Sequence, residues 1–265
     1  MKIKLLSAVA VLAAGFSAAP AFAEETSDFT ITGSAAIVSQ YKFRGLTQSD
    51  SKPAVQAAIT VSHASGFYVS MWGSSGASSR GVMGTGVPAY ASPNEGTEID
   101  VYGGYTKALG GVTVDVGLYG YIYPNVSNYN IFEVYGSLAK SFGPVTAKVG
   151  VNWAPKQNYF TLAGTATQYS VYEYGALTYA NGPFTLHTSL GHTGGGLNFV
   201  KQYIDYNVGV SYKWKALTFD ISAVGTNISK GDVANATGFA AGTVDNNNTY
   251  RYGKFAPVAS LTASF

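Results

Sequence analysis

The chain has 265 residues, of which 46% are hydrophobic, 14% are aromatic and 11% are charged, and it contains no cysteine. Soluble domains carry about 25% charged residues, so this composition does not fit an ordinary water-facing surface, and its aromatic content argues against disorder. The absence of cysteine excludes disulfide scaffolds and thiolate metal sites, and a net charge of +2 is too small for a nucleic-acid-binding protein.

The first 23 residues have the pattern of a secretory signal peptide. Lys2 and Lys4 form a positive start, residues 5–16 are apolar, and Ala21-Phe22-Ala23 is a cleavage site of the A-x-A type. A membrane anchor helix is the alternative, but this apolar stretch is shorter than the roughly 20 residues that a span needs. We therefore predict an exported protein whose cleaved signal peptide covers residues 1–23, followed by one domain over residues 24–265.

An alternation with a period of two runs through the rest of the chain. In residues 145–153, for example, Val145, Val149 and Trp153 fall on one face of a strand, and Lys148 and Asn152 fall on the other. Most of these runs are longer than the 5 or 6 residues of a globular strand and suit a tilted bilayer crossing of about 9 to 11 residues. The predicted strands are 29–44, 53–63, 66–75, 97–108, 111–123, 130–141, 144–154, 168–180, 183–193, 202–213, 216–228 and 250–265.

The connections between these strands alternate between two kinds. Five are tight turns, at 64–65, 110, 142–143, 181–182 and around residue 215. Six are longer, at 45–52, 76–96, 124–129, 155–167, 194–201 and 229–249. This layout predicts an all-β fold, a transmembrane antiparallel up-and-down β-barrel of about 12 strands with short periplasmic turns and long extracellular loops. The last strand must pair with the first, because an open sheet edge is not tolerated in lipid.

Three features place the apolar face against lipid rather than inside a soluble, lipocalin-like barrel. The polar face carries mostly Gly, Ser, Thr and Tyr, which is too little charge for a soluble surface. The final run ends at Phe265 in the manner of the signal that the barrel assembly machinery recognises. We therefore expect a protein of the outer membrane of a Gram-negative bacterium, in contact with membrane lipid and lipopolysaccharide. Aromatic residues near strand ends suit the interfacial girdles: Phe43, Phe67, Tyr105, Phe132, Trp153, Phe184 and Trp214.

Several segments resemble the TorF family of porins, a group formerly known as a conserved hypothetical family of proteobacteria. They are residues 41–50 (YKFRGLTQSD), 52–56 (KPAVQ), 98–105 (EIDVYGGY) and 121–124 (YIYP). The resemblance covers nearly the whole mature chain and is most specific up to about residue 125. It implies an outer-membrane channel, and it supplies neither a substrate nor site residues.

Charged residues on the polar face are the candidates for lining the lumen. Lys42 and Arg44 are predicted near the top of the first strand, and Lys254 in the last strand beside it. Most of the acids are predicted on the opposite wall, so one hypothesis is a transverse field that orients polar solutes. The alternative is that these residues pair with one another and close the pore. The full set of candidates is Lys42, Arg44, Asp100, Asp115, Glu133, Lys148, Glu173, Asp205, Asp220 and Lys254.

The sequence favours a channel for passive or weakly selective diffusion of small hydrophilic solutes, with no cofactor and no metal. Conduction would depend on whether loop 76–96 or loop 229–249 folds inward. A closed barrel whose outer loops bind a partner or a surface is the second hypothesis. A lipid-modifying enzyme is the third, but His187 and Ser189 lie two residues apart on one strand, too far for a direct hydrogen bond, and both are predicted to face the lumen.

Overall fold

A computed structural model describes residues 28–77, 96–124, 130–162 and 167–265. In chain order, the elements are β1 (Phe29–Val38), β2 (Lys42–Phe43), β3 (Leu46–Thr47), β4 (Ala54–His63), β5 (Phe67–Ala77), β6 (Gly96–Leu109), β7 (Val112–Ile122), β8 (Ile131–Phe142), β9 (Val145–Ala154), α1 (Asn158–Leu162), β10 (Ser170–Asn181), β11 (Phe184–Gly195), β12 (Tyr203–Trp214), β13 (Leu217–Thr226), α2 (Lys230–Thr237), α3 (Val244–Tyr250) and β14 (Ala256–Ser264). The predicted signal peptide and most of the predicted loop 76–96 lie outside the described residues.

Twelve of the described strands, β1 and β4 to β14, close into an antiparallel up-and-down barrel. The first and last strands pair with each other, with Ile37 opposite Leu261. Backbone hydrogen bonds continue this pairing to the end of the chain, because Phe265 N donates to Gly33 O over 2.9 Å and Gly33 N donates to Phe265 O over 2.8 Å. The predicted fold and its closure are therefore confirmed.

The two faces of the barrel wall differ in chemistry. Large apolar side chains point outward, as for Leu118 and Ile221, which are 66% and 64% exposed. Polar side chains from the same strands point inward, as for Asp115 and Asp220, which are buried. A soluble barrel would show the opposite arrangement, whereas an apolar outer surface is what a lipid bilayer covers.

Short and long connections lie at opposite ends of the barrel. Within the described chain, short turns join β4 to β5, β6 to β7, β8 to β9, β10 to β11 and β12 to β13. In one of them Gly182 adopts a φ of +58°, a backbone conformation that favours glycine. The longer connections are at the other end, and β1 begins and β14 ends on the short-turn side.

The first strand is shorter than predicted. β1 ends at Val38 rather than at residue 44, and the next residues fold into the barrel, where β2 and β3 form a small hairpin. Tyr41 and Phe43 keep the apolar parity of β1, which is why the sequence predicts a continuous strand. Tyr41 is nevertheless buried inside the barrel instead of facing outward.

The last predicted strand and the loop before it also differ from the prediction. β14 begins at Ala256 rather than at residue 250, and the predicted loop 229–249 contains α2 and α3. Helix α2 begins with a capping box, in which the Ser229 side chain accepts from Asp232 N and the Asp232 carboxylate accepts from Ser229 N. Such reciprocal caps satisfy backbone donors that a helix start leaves free, so they stabilise a short helix.

Candidate functional site

The barrel encloses a cavity whose lining includes described residues from every strand of the wall. Its volume is about 1930 Å³, including the space that opens to solvent. The small hairpin of residues 42–47, called the lumen hairpin below, borders this cavity at the long-loop end. A second, smaller cavity lies between the lumen hairpin and outer residues such as Tyr123 and Leu197. The lumen hairpin therefore divides the interior of the barrel.

A two-residue turn forms the tip of the lumen hairpin. Lys42 pairs with Thr47, and Phe43 pairs with Leu46. Arg44 and Gly45 between them have φ values of +47° and +77°. Positive φ at both central residues is the requirement of a type I′ turn, the turn that matches the twist of a tight hairpin.

Arg44 connects the tip of the lumen hairpin to the barrel wall. Its guanidinium nitrogen lies 2.7 Å from Glu133 Oε2, and the two side chains are only 6% and 1% exposed. The same guanidinium lies over the ring of Tyr172, 4.2 Å from the ring centroid. Glu133 Oε2 also accepts from Tyr121 Oη over 3.0 Å and from Asn152 Nδ2 over 2.9 Å. These contacts offset the free-energy cost of removing the two charges from water.

Apolar packing holds the lumen hairpin on three sides. Tyr41, just before it, lies against Trp72 with a ring-centroid distance of 5.3 Å. Phe43 meets the ring of Tyr121 edge-on at 5.5 Å. Leu46 belongs to a separate buried cluster with residues of the outer loops: Phe199, Tyr203, Ile228, Val233 and Tyr252. This packing fixes the hairpin to both the wall and the outer loops.

Lys42 places a cationic group at the edge of the cavity. Its Nζ donates to Gly45 O over 3.1 Å and to Lys254 O over 2.7 Å. Burial lowers the pKa of Lys42 to about 8, because the charged ammonium is poorly solvated there. The charge of this side chain therefore changes in a mildly alkaline range.

The outer loops form a cover over the long-loop end. Thr47 N donates to Tyr252 O over 2.9 Å, and Arg251 forms an ion pair with Asp50 over 2.6 Å. Lys201 and Asp232 form another pair over 2.8 Å, and the hydrogen bond from Lys201 lowers the pKa of the Asp232 carboxyl to about 2. The first and last long loops are thus joined to each other directly.

Two acids of β6 lie at the level of the lumen hairpin. Tyr41 Oη donates to Glu98 Oε1 over 2.9 Å, and Tyr119 Oη donates to Asp100 Oδ2 over 2.7 Å. In the part of the chain that the structure describes, the other carboxylate oxygen of Asp100 has no hydrogen-bond partner. A buried carboxylate oxygen of this kind is an available acceptor.

Asp205 and Asn207 present further acceptors from β12, on the other side of the barrel. Tyr172 Oη donates to Asp205 Oδ1 over 3.2 Å. Among the described residues, Asp205 Oδ2 and Asn207 Oδ1 are buried and have no hydrogen-bond partner. Both residues line the large cavity.

Two more polar groups lie along the cavity wall. Tyr68 Oη donates to Asp115 Oδ1 over 2.9 Å and also contacts Tyr135 Oη, while Lys148 Nζ lies 5.8 Å from the ring centroid of Tyr174. His187 Nε2 lies 2.7 Å from Asp220 Oδ2. Asp220 also accepts from Ser211 Oγ over 2.7 Å and from Ser222 Oγ over 2.5 Å.

The His187 group does not form the arrangement of a serine hydrolase. The hydroxyls of Ser211 and Ser222 donate to Asp220 itself, whereas a catalytic triad needs a serine bonded to the histidine. His187 and Asp220 both line the lumen cavity rather than the outer surface. Over the described ranges, no group of three or more His, Cys, Asp or Glu residues is placed to hold a metal ion. No described helix is long and apolar enough to cross a membrane.

The structure places most of the predicted lumen residues around the two cavities, with two exceptions. Glu173 points outward near the long-loop end of β10 and lies 3.3 Å from His192 Nδ1, so it does not line the lumen. Lys254 is exposed in the loop before β14, and its backbone carbonyl, not its ammonium, contacts Lys42. The lining residues are Lys42, Arg44, Asp100, Asp115, Glu133, Lys148, Asp205 and Asp220.

The predicted separation of a basic wall from an acidic wall is not what the structure contains. Arg44 sits on the lumen hairpin instead of on β1 and reaches Glu133 directly. Arg44 and Glu133 therefore form a local pair in place of two opposed charges. Pairing of this kind is also what the alternative predicts, in which the lumen charges pair with one another and close the pore, but one pair does not decide between the two hypotheses.

Aromatic residues are the part of the site that the sequence analysis missed. Tyr102 and Tyr119 stack with a centroid distance of 4.7 Å and an interplanar angle of 7°. Tyr172 and Tyr174 stack at 5.7 Å and 25°. The signal was present, because Tyr102 shares the inward parity of Asp100 on β6 and Tyr119 that of Asp115 on β7, while Tyr172 and Tyr174 alternate with the outward residues of β10.

Comparison with known proteins gives a family and a set of similar barrels. The profile of a family described as "Bacterial protein of unknown function (Gcw_chp)" matches residues 22–265. No curated protein matches the sequence. The matched family carries this description and not the TorF name, so the comparison does not confirm the family name that the sequence resemblance suggests.

Three solved structures share the fold. The NanC porin is 15% identical with a TM-score of 0.52, covering 89% of this chain and 98% of its own. The KdgM porin, solved in complex with disordered oligogalacturonate, is 14% identical with a TM-score of 0.50 and the same coverage of both chains. An outer-membrane channel from Pseudomonas putida F1 is 10% identical with a TM-score of 0.50, covering 94% of this chain and 100% of its own. At these identities the likeness concerns the barrel fold alone.

Proposed function

This chain belongs to the Gcw_chp family of bacterial proteins of unknown function, and from that starting point we propose that it is a porin-like channel of the outer membrane. It would allow passive or weakly selective diffusion of small hydrophilic solutes; the TorF-type resemblance likewise implies an outer-membrane channel, without a substrate. The observation that carries the proposal is the polar cavity that every strand of the wall helps to line. An inert membrane anchor has no need of such an interior.

The lumen hairpin would set the selectivity of the channel. It borders the cavity at the long-loop end, and its tip carries the paired guanidinium of Arg44 and the ammonium of Lys42. Solutes would pass between this tip and the opposite wall, so their size and charge would both matter. The oligogalacturonate of the KdgM complex is an acidic saccharide, and a lumen with the acids described above is a poor match for it.

The cellular setting is part of the same proposal. Residues 1–23 would be removed on export, and the outward apolar side chains would contact outer-membrane lipid and lipopolysaccharide. Phe265 would be the residue that the barrel assembly machinery recognises. The passage needs no cofactor and makes no covalent bond, so we propose no enzymatic activity.

Conductance in a planar bilayer tests the channel. The refolded mature chain should first show the difference in gel mobility between unheated and boiled samples that a closed barrel gives. We then expect discrete current steps in potassium chloride. A folded, inserted protein that leaves the bilayer silent would contradict the channel proposal.

One observation favours a second candidate function. The outer loops are joined by the contacts of Thr47 with Tyr252 and of Asp50 with Arg251, which together form an ordered cover. Such a cover suits a closed barrel that binds a partner or a surface through its outer loops. Removing residues 230–252, which include Arg251 and Tyr252, separates the two functions: a channel should keep or increase its conductance, whereas a binding protein should lose attachment to its partner and remain silent.

A further inference from the structure

Several buried acceptor oxygens in the large cavity receive no hydrogen bond from a donor of the described chain. One side-chain oxygen of each of Gln40, Asp100, Asp205 and Asn207 is buried and, within the described chain, lacks a hydrogen-bond partner. All four residues line the same cavity. Buried polar groups are otherwise nearly always hydrogen-bonded, so this set indicates a site that a donor-rich molecule completes.

The charge of the lumen points to a cation. Among the described residues that line the two cavities, six acidic side chains outnumber three amine or guanidinium groups. The acidic residues are Asp100, Asp115, Asp205, Asp220, Glu98 and Glu133, and the basic residues are Lys42, Arg44 and Lys148. A narrow passage with this balance concentrates positive solutes, because field lines are focused between low-dielectric walls.

The tyrosine faces of the lumen are already used to hold cationic groups. The Arg44 guanidinium lies over Tyr172, and the Lys148 ammonium lies over Tyr174. A cation is attracted to the electron-rich face of an aromatic ring. The lumen therefore already holds positive groups against tyrosine.

We propose that the large cavity is a binding site for primary aliphatic amines, above all di- and polyamines. This inference rests on the proposed channel function and deepens it by naming the class of solute. Asp205 Oδ2 and Asn207 Oδ1 accept N–H donors of one ammonium end, and Asp100 Oδ1 accepts those of the other. An elongated amine suits this arrangement because β6 and β12 lie on opposite sides of the barrel.

A primary amine fits better than a metal ion or a sugar. In the described ranges the acids do not gather into a group of three or more that could hold a metal. Sugar hydroxyls can donate to the same oxygens, but a charged N–H donor to a carboxylate makes a hydrogen bond roughly twice as strong as a neutral one. The unpartnered oxygens of Asp100 and Asp205 are carboxylate oxygens, so they favour the charged donor.

Block of the single-channel current by spermidine tests the site. We expect spermidine to interrupt the potassium current of the full mature protein, and Asp205→Asn to raise the half-blocking concentration by about tenfold or more, as expected for a lost hydrogen bond between charged groups. Asn207→Asp, which adds a carboxylate, should lower that concentration. Asp28→Asn, the same charge change at an exposed position before β1, is the matched control and should leave it unchanged.

Tetramethylammonium separates hydrogen bonding from charge, because it is a cation without N–H donors. Equal block by both cations, or equal block of the Asp205→Asn variant and the unaltered protein, would overturn the site while the current steps still support the channel. If the bilayer shows no current, calorimetry tests whether spermidine binds to the folded, detergent-solubilised protein. Binding that Asp205→Asn weakens then supports the site although the channel proposal fails, and no binding overturns both.

Discussion

At the residue scale, the ion pair of Arg44 and Glu133 is the contact most sensitive to substitution. Its side chains are buried, so Glu133→Gln leaves a guanidinium charge without a counter-charge. Breaking a buried pair in this way costs about 3 to 5 kcal/mol. We expect Glu133→Gln to lower the temperature at which the barrel loses its fast gel mobility, and to increase conductance because the lumen hairpin is released.

The exposed pair of Lys201 and Asp232 is the matched control for that substitution. Lys201 is about one-third exposed in this pair, and exposed pairs contribute only about 0 to 1 kcal/mol. Lys201→Met should therefore change the melting temperature and the conductance little. Equal effects of Glu133→Gln and Lys201→Met would mean that Arg44 does not hold the hairpin.

We expect Lys42 to make conduction through the proposed channel sensitive to alkaline pH. Its pKa is lowered from 10.5 to about 8, so the unfolded chain binds more protons than the folded chain between these values. Stability should consequently rise with pH across that window.

The reversal potential in a potassium chloride gradient should shift toward cation preference as pH rises through about 8, because Lys42 then loses its positive charge, and Lys42→Met should abolish the shift. A shift that persists in Lys42→Met would assign the titration to another group.

Side-chain direction could be predicted from the sequence only where the strand period continued unbroken. Asp115 and Asp205 are placed inward by parity because every strand alternates its two faces. Glu173 follows the same rule, because it shares the outward parity of Leu177 and Tyr179 on β10. Its charge alone suggests the lumen, so a charged residue has to be assigned by the parity of its own strand and not by likeness to acids on other strands.

At the element scale, the lumen hairpin depends on Gly45. A Cβ atom at Gly45 would lie 2.6 Å from Thr226 Cγ2 and 2.8 Å from both Asp205 Cβ and Gly225 O, and the φ of +77° disfavours other residues. Gly45→Val should therefore displace the hairpin from the lumen. We expect a larger single-channel conductance with the heat-dependent gel mobility retained.

Gly143 offers a matched control for that element. It also has a positive φ, +61°, but a Cβ atom there would meet nothing within 4 Å. Gly143→Val therefore adds backbone strain without a clash in the lumen, and the conductance should stay unchanged. An unaltered conductance in Gly45→Val would show that the hairpin does not narrow the passage.

The sequence could not predict the lumen hairpin because the deciding contacts are distant along the chain. Locally, Tyr41 and Phe43 continue the alternation of β1, and both a longer strand and a hairpin satisfy that pattern. The difference arises from the contact of Arg44 with Glu133 and of Thr47 with Tyr252. Loop packing of this kind leaves no periodic signal, so the length and composition of loops 76–96 and 229–249 are the only reasons the sequence offers for expecting either to fold inward.

At the scale of the whole molecule, the number of strands and their order could be predicted because both follow from local rules. The alternation gives each strand, the turn residues give each short connection, and closure follows from the need to pair every backbone group in lipid. Occupancy of the lumen does not follow from these rules. It depends on which loop finds partners inside the closed wall.

The orientation of the barrel gives the last prediction. Short turns face the periplasm and long loops face outward in outer-membrane barrels, so Gly143 and Gly242 should lie on opposite sides of the membrane. Both glycines have a positive φ and open space beside them, so an epitope inserted at either position should be tolerated equally. An antibody should label intact cells that carry the insertion at 242, and label those with the insertion at 143 only after the outer membrane is permeabilised. The reverse labelling pattern would show that the barrel has the opposite orientation. A solute from outside the cell would then enter at the short-turn end and meet the lumen hairpin last.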